Sequence, residues 1–130
     1  MIDKKFIHTI QVQNEDIDEL GHVNNVVFVR WVQEVASAHW QRVASGELRN
    51  KYAWVVLRHE IDYLYPAFAG DIVSGQTWVG EHHGAKFERF VTLSVEESGR
   101  VIAKAKTVWC MLDAQTLRPQ RIGTDVLQIL

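Results

Sequence analysis

The feature that most constrains the fold is a single helical pattern lying between one strand-like segment and four more. In residues 25–45 the apolar side chains recur with the 3.6-residue period of an amphipathic helix. Alternating, strand-like segments occupy residues 4–13, 52–65, 71–82, 86–97 and 101–112. Parallel strands need crossover helices, and none separates the last four segments. The order therefore predicts an α+β fold, an antiparallel sheet of about five strands wrapped on one long central helix.

The ends of these segments carry recognisable turn and cap signals. Asn24 or Asn25 can cap the start of the helix, and Gly46 can end it in a left-handed turn. Turn-forming residues separate the strands, namely Pro66, Gly70-Asp71, Gly84 and Ser98-Gly99. The last pair is typical of a β-hairpin. Residues 113–130 predict only a turn, at Arg118-Pro119.

Composition excludes several classes of function. A chain of 130 residues is expected to form one domain, here residues 1–130. Its 14 Lys+Arg and 16 Asp+Glu give a net charge of −2, which disfavours nucleic-acid binding. The single cysteine, Cys110, allows no intrachain disulfide and no multi-thiolate metal site, and it indicates a reducing, cytoplasmic setting. Neither a signal peptide nor a membrane span is expected.

The segment just before the helix carries most of the chemical information. Residues 16–25 read D-I-D-E-L-G-H-V-N-N, so carboxylates, a histidine and two amides meet a helix N-terminus. The unpaired N–H groups and the positive dipole end there can bind developing negative charge. The pattern fits an oxyanion site beside a base. It fits equally a solvated acidic loop in which Asn24 is a plain cap and His22 a surface residue.

The same segment resembles the D-x-D-x-x-G-H-V-N-N signature of acyl thioesterases with the hot-dog fold, and is similar to the 4-hydroxybenzoyl-CoA thioesterase family. Residues 61–66, I-D-Y-L-Y-P, followed by Gly70-Asp71, resemble that family's strand and turn beyond the helix. The likeness extends from about Phe6 to Arg121. It implies hydrolysis of an acyl-CoA thioester to the free acid and CoA, with no cofactor and no metal. The open edge strand of such a sheet and the aromatic area of five tryptophans predict a homodimer or homotetramer, with a site shared between two subunits.

The resemblance assigns roles residue by residue. Asp18 matches the catalytic carboxylate, which is either a nucleophile that forms a mixed anhydride or the base for water. The backbone N–H of Asn25 matches the amide that polarises the thioester carbonyl. His22 matches a histidine that has a catalytic or hydrogen-bonding role in the related plant enzymes that act on acyl-acyl carrier protein. Asn24 and Phe28 are expected to contact the substrate.

The chain also departs from the family pattern. Leu20 stands where the plant enzymes have an asparagine, and Phe28 stands where a tyrosine is common. The stretch that would hold the CoA phosphates contains only Lys86 as a reliable cation, with His83 able to contribute if protonated. The phosphate contacts are therefore expected to be weaker or differently placed.

Other polar residues favour structural roles. His82 and His83 are adjacent on a strand and point to opposite faces, which argues against a metal site. Glu34 is expected on a solvated helix face, and His39 is expected to be a hydrogen-bonded histidine of the core or of an interface. Asp16 is expected to fix the loop or to tune Asp18 by like-charge repulsion.

Two other functions remain open at this point. One is a non-catalytic acyl-CoA binding or sensing module. The other, less favoured, is a hot-dog hydratase or dehydratase, whose H-x-x-x-P-G-type motif this chain does not resemble. The sequence also leaves open the acyl group, the choice between CoA and acyl carrier protein, and the choice between nucleophile and base.

Overall fold

The computed structural model describes residues 5–130, which form one five-stranded antiparallel sheet with a long helix on one face. The strands are β1 (Phe6–Gln11), β2 (Tyr52–Tyr63), β3 (Ile72–His83), β4 (Lys86–Val95) and β5 (Val101–Asp113). The helices are α1 (Asn25–Val43), α2 (Gly46–Lys51) and α3 (Thr124–Leu127), with a 3₁₀ turn at Asn14–Asp16. The strand order is β1-β3-β4-β5-β2, and every neighbouring pair is antiparallel. The predicted architecture of one sheet on one long helix is confirmed.

Strand boundaries agree with the sequence patterns to within about two residues at most ends. The hairpin predicted at Ser98-Gly99 joins β4 to β5, and Gly99 adopts a φ of +72°, which glycine tolerates without a steric penalty. The predicted first strand begins at Lys4, which lies outside the described residues, and the observed one begins at Phe6.

The predicted end of the long helix is wrong. α1 ends at Val43, its C-cap Ala44 is extended, and Gly46 does not adopt a left-handed conformation. Gly46 instead begins α2, where the side chain of Ser45 accepts a hydrogen bond from the N–H of Leu48 at 3.2 Å. A serine N-cap for a second helix therefore replaces the expected glycine C-cap.

A β-bulge interrupts the alternation predicted for β2. Val56 pairs with Trp109 and Arg58 with Val108, so Leu57 has no partner on β5. The sequence pattern groups Leu57 with His59 and Ile61 on one face, but Leu57 is 51% exposed whereas His59 and Ile61 are half-buried. An extra residue in one strand shifts the following side chains to the opposite face.

The core consists of two apolar clusters under α1. The first lies under the N-terminal half of the helix and includes Phe28, Trp31 and Val35. The second surrounds Trp40 and Trp109. It also includes Ile122, Val126 and Leu130 of the C-terminal segment, for which the sequence analysis predicted only a turn. Among the described residues, no helix is long and apolar enough to cross a membrane.

Candidate functional site

The acidic loop before α1 is fixed by Asp16, which is only 2% exposed. Its carboxylate accepts hydrogen bonds from Nη2 of Arg30 at 2.7 Å and from the backbone N–H of Gln13 at 2.9 Å. Its carbonyl accepts the N–H of Asn24 at 3.0 Å. Both oxygens of the carboxylate are thus bound to protein donors. These contacts support the expectation that Asp16 fixes the loop.

Asp18 lies in a tight turn between Ile17 and Val23, which form an isolated antiparallel bridge. Its N–H donates to the carbonyl of His22 at 2.8 Å, and Gly21 completes the turn with a φ of +83°. Oδ1 of Asp18 accepts the N–H of Leu20 at 2.9 Å. Oδ2 has no hydrogen-bond partner among residues 5–130. The turn therefore holds the carboxylate by one oxygen and leaves the other available.

The helix N-terminus begins directly after this turn. Asn24 is the N-cap, and its side chain accepts the N–H of Val26 at 2.9 Å. The N–H of Asn25, the first helical residue, has no acceptor within the described part of the chain. A free N–H at the positive end of a 19-residue helix is suited to bind an oxyanion. Of the two caps that the sequence allowed, the structure selects Asn24.

These groups line one cleft of about 410 Å³. It brings together five of the residues singled out from the sequence, namely Asp18, His22, Asn24, Asn25 and Phe28. His22 is half-buried and packs edge-on against Phe68, with ring centroids 5.3 Å apart. Phe28 is 2% exposed and belongs to both the core and the cleft wall.

The sequence analysis missed the opposite wall of this cleft. It consists of the end of β2 and the following turn, with Tyr63, Leu64, Tyr65 and Pro66. Tyr63 stacks on Phe28 with ring centroids 5.7 Å apart, and 43% of it is exposed. A tyrosine in this wall brings a hydroxyl to the cleft, as would the tyrosine that Phe28 replaces. The signal for it was the alternation of β2, which places Tyr63 on the helix-facing side.

The predicted phosphate contacts do not join this cleft within one chain. Lys86 and His83 pair across the hairpin between β3 and β4 and are both exposed. Tyr63 of the cleft lies in register with Ala103 and, through it, with Leu93. Seven residues of β4 separate Leu93 from Lys86, about 23 Å at the usual strand rise. Within one chain, Lys86 and His83 therefore do not line the cleft that contains Asp18.

The remaining polar candidates have protein partners. His39 is buried, and its Nδ1 lies 3.0 Å from Nη1 of Arg89. Burial and the nearby guanidinium lower the pKa of His39 to about 4, so at neutral pH the ring is uncharged and accepts this hydrogen bond. Glu34 is exposed and lies 3.0 Å from His8. Within residues 5–130, no three His, Cys, Asp or Glu side chains are grouped to hold a metal ion.

The model of the thioesterase-like superfamily matches residues 12–130 of this chain. Among curated proteins, the chloroplastic oleoyl-acyl carrier protein thioesterase 2 of Arabidopsis thaliana is 31% identical over 105 residues, which cover 73% of this chain and 28% of that protein. The chain spans between 18% and 28% of the length of the curated plant relatives that it matches.

Solved structures share the same fold. A 1,4-dihydroxy-2-naphthoyl-CoA thioesterase from Synechocystis superposes with a TM-score of 0.83 at 19% identity, covering 96% of this chain and 94% of that one. A Staphylococcus aureus protein solved in complex with CoA also gives 0.83 at 19% identity, covering 98% and 82%. The expected hot-dog fold is therefore confirmed, and the chain belongs to the thioesterase-like superfamily.

Proposed function

We propose that this protein hydrolyses an acyl thioester, with acyl-CoA as the substrate class, to the free acid and the thiol. The observation that carries the proposal is that one cleft contains two groups without a hydrogen-bond partner in residues 5–130, namely one carboxylate oxygen of Asp18 and the N–H of Asn25. Hydrolysis needs a base or nucleophile beside a donor for the developing oxyanion. Membership of the thioesterase-like superfamily supports the same reaction.

In this mechanism the carbonyl oxygen of the thioester accepts the N–H of Asn25 and lies at the positive end of α1. Asp18 then acts in one of two ways. As a base it takes a proton from water while the water oxygen bonds to the carbonyl carbon. As a nucleophile it bonds to that carbon itself and forms an anhydride, which water then cleaves. In both routes the C–S bond breaks, and the sulfur leaves as a thiolate that takes up a proton.

His22, Asn24 and Phe28 have supporting roles in this proposal. The ring nitrogens of His22 have no hydrogen-bond partner among the described residues, so they are available to the substrate or to water. Asn24 holds the helix start and thereby the N–H of Asn25. Phe28 provides the apolar wall beside the reacting carbonyl, together with Tyr63.

The proposal includes a site shared between two subunits of a dimer or tetramer. Among the described strands β2 pairs with β5 alone, so its other edge has backbone groups without a strand partner there, and Val55 and Leu57 of β2 are exposed. If two β2 strands pair antiparallel along their length, Tyr52 of one subunit lies opposite Tyr63 of the partner subunit. Lys86 lies in register with Cys110 and Val55 near the start of β2. This pairing moves Lys86, and with it His83, towards the partner's cleft, where they can contact the CoA phosphates.

The test is thiol release from a panel of acyl-CoA esters by the wild-type protein and by Asp18→Asn. The amide keeps an oxygen to accept the N–H of Leu20, so the turn and acyl-CoA binding are expected to survive. Loss of the base is expected to lower kcat by about 10²- to 10⁴-fold. Turnover of no ester by the wild type, with acyl-CoA still bound, would instead identify a sensing module.

Glu19→Gln is the matched control, because it removes one exposed negative charge next to Asp18, and Glu19 makes no side-chain hydrogen bond or ion pair within residues 5–130. Its kcat is expected to stay near the wild-type value. Asp16→Asn is expected to lower stability more than kcat, since its carboxylate binds Arg30 and Gln13. Full activity of Asp18→Asn, or loss of activity in Glu19→Gln alone, would contradict the assignment.

A further inference from the structure

A second cavity, of about 330 Å³, lies at the other end of α1 from the Asp18 cleft. Five of its twelve lining residues are aromatic, namely Trp40, Tyr52, Trp54, Phe87 and Trp109. The rings of Trp40 and Trp54 meet edge to face at 5.5 Å, as do those of Trp54 and Phe87 at 5.0 Å. The volume is at the lower end for a small-molecule site, and flat aromatic walls suit a flat apolar ligand.

One wall of this aromatic cavity contains a buried cation. Arg89 of β4 is 3% exposed, and its guanidinium lies over the ring of Phe87 at 5.3 Å. Nη1 donates to Nδ1 of His39 and to Oγ1 of Thr77, both at 3.0 Å. Burial lowers the pKa of Arg89 only to about 10, so the group is charged at neutral pH.

The charge of Arg89 has no counterion within the described residues. No carboxylate lies within 4.0 Å of the guanidinium nitrogens in residues 5–130, and both partners of Nη1 are neutral. A buried charge that is not paired is costly, and a bound ligand of opposite charge would reduce that cost. Nε1 of Trp54, in the same wall, is also buried without a hydrogen-bond partner.

We propose that this cavity binds the acyl end of the thioester substrate and selects a flat aromatic acyl group that carries a carboxylate, with Arg89 as its counterion. The inference rests on the proposed thioesterase function and on the pairing of two β2 strands. Trp54 lies near the start of β2, and Tyr63 lies at its end. Antiparallel pairing therefore brings the cavity of one subunit next to the cleft of its partner.

The test compares two CoA esters of nearly the same shape, 4-carboxybenzoyl-CoA and 4-nitrobenzoyl-CoA. The nitro group is planar like the carboxylate but carries no net charge, and it activates the thioester more. The wild-type protein is expected to hydrolyse the carboxylate ester with a kcat/KM at least about tenfold higher than that for the nitro ester, although the nitro ester is intrinsically the more reactive. Arg89→Met is expected to lower kcat/KM for that ester by about 100-fold and to change the nitro ester by less than about threefold.

Arg42→Met is the matched control. Arg42 lies in the last turn of α1, is exposed, and does not line the cavity. The same change of side chain and charge at this position is expected to leave the substrate preference intact. If Arg89→Met does not fold, Arg89→Lys replaces it, because lysine keeps the charge but loses the planar fork and is expected to keep only part of the preference.

A binding measurement separates this inference from the proposed function. Benzoate is expected to quench the fluorescence of the cavity tryptophans at lower concentration than neutral benzamide, and Arg89→Met is expected to remove the difference. Thioester hydrolysis with no carboxylate preference and no tighter binding of benzoate would overturn the inference and leave the function standing. Arg89-dependent benzoate binding without hydrolysis of any ester would support the carboxylate site and overturn the function.

Discussion

Two carboxylates of the same loop, two residues apart, have opposite surroundings. Both oxygens of Asp16 are bound by protein donors, and the side chain is buried against Arg30. Asp18 is bound through one oxygen and lines the cleft. A carboxylate whose oxygens are already hydrogen-bonded is a poor base and nucleophile, because reaction would first require breaking those bonds. The hydrogen-bond partners, rather than the position in the motif, therefore distinguish Asp16, which holds the loop, from Asp18, the candidate reactive group.

Stability is expected to fall with acidity through His39. Its pKa is about 4 in the folded protein and 6.5 when exposed, because burial and the guanidinium of Arg89 disfavour the charged ring. Between these values the unfolded chain binds a proton that the folded one does not. The free energy of unfolding is therefore highest above pH 6.5 as far as His39 is concerned. It decreases as the pH falls towards 4, with a slope of up to about 1.4 kcal/mol per pH unit.

Urea unfolding measured at intervals from pH 8 to pH 4 checks this expectation against His39→Gln. The glutamine oxygen can still accept from Arg89, but the side chain does not titrate. Glu88 and Asp113, whose pKa values are lowered by their hydrogen-bond partners, are common to both proteins and cancel in the comparison. Parallel stability curves for the two proteins would show that His39 is not the titrating group.

At the scale of secondary-structure elements, most boundaries could be predicted because periodicity and turn residues are local signals. The 3.6-residue stripe located α1, and Gly99 marked the hairpin between β4 and β5. The bulge at Leu57 and the second helix at Gly46 were missed. The bulge depends on the pairing of β2 with β5, and the second helix depends on the cap that Ser45 forms. Resemblance to a known signature predicted the residues on the helix side of the cleft, whereas Tyr63 joins it only through the folding of β2 against α1.

The contact between α1 and the sheet depends on a residue without a side chain. A Cβ on Gly75 of β3 would collide with Cγ2 of Val35 on α1. Gly75→Ala is therefore expected to push the helix away from the sheet and to lower the free energy of unfolding by about 1 to 3 kcal/mol. Ser74→Ala, the neighbouring half-buried position on the other face of β3, is the control and should cost less. Equal urea midpoints for the two variants would contradict this close approach.

At the scale of the whole molecule, the sheet has two edges of unequal character. β1 has six residues and β2 has twelve, and β2 also connects the aromatic cavity near its start to the Asp18 cleft at its end. A long edge strand with exposed apolar residues is a site of self-association. Lys86, His83 and the Arg89 cavity lie far from Asp18 in one chain, and the β2 pairing that we propose would bring them near the cleft of the partner subunit.

The β2 edge is therefore expected to control both assembly and activity. Leu57→Asp places a negative charge on this edge in each of the two copies, and the two charges would repel. The variant is expected to be a monomer where the wild type is a dimer or tetramer, as measured by light scattering at micromolar concentration. Thiol release should fall at least about tenfold although Asp18 and Asn25 are unchanged, because each cleft loses the wall that its partner supplies. Ile7→Asp is the matched control, since Ile7 is 59% exposed on β1 at the opposite edge, and both mass and activity should persist. A monomeric wild-type protein that hydrolyses thioesters, or dissociation by Ile7→Asp alone, would rule out a site assembled across β2.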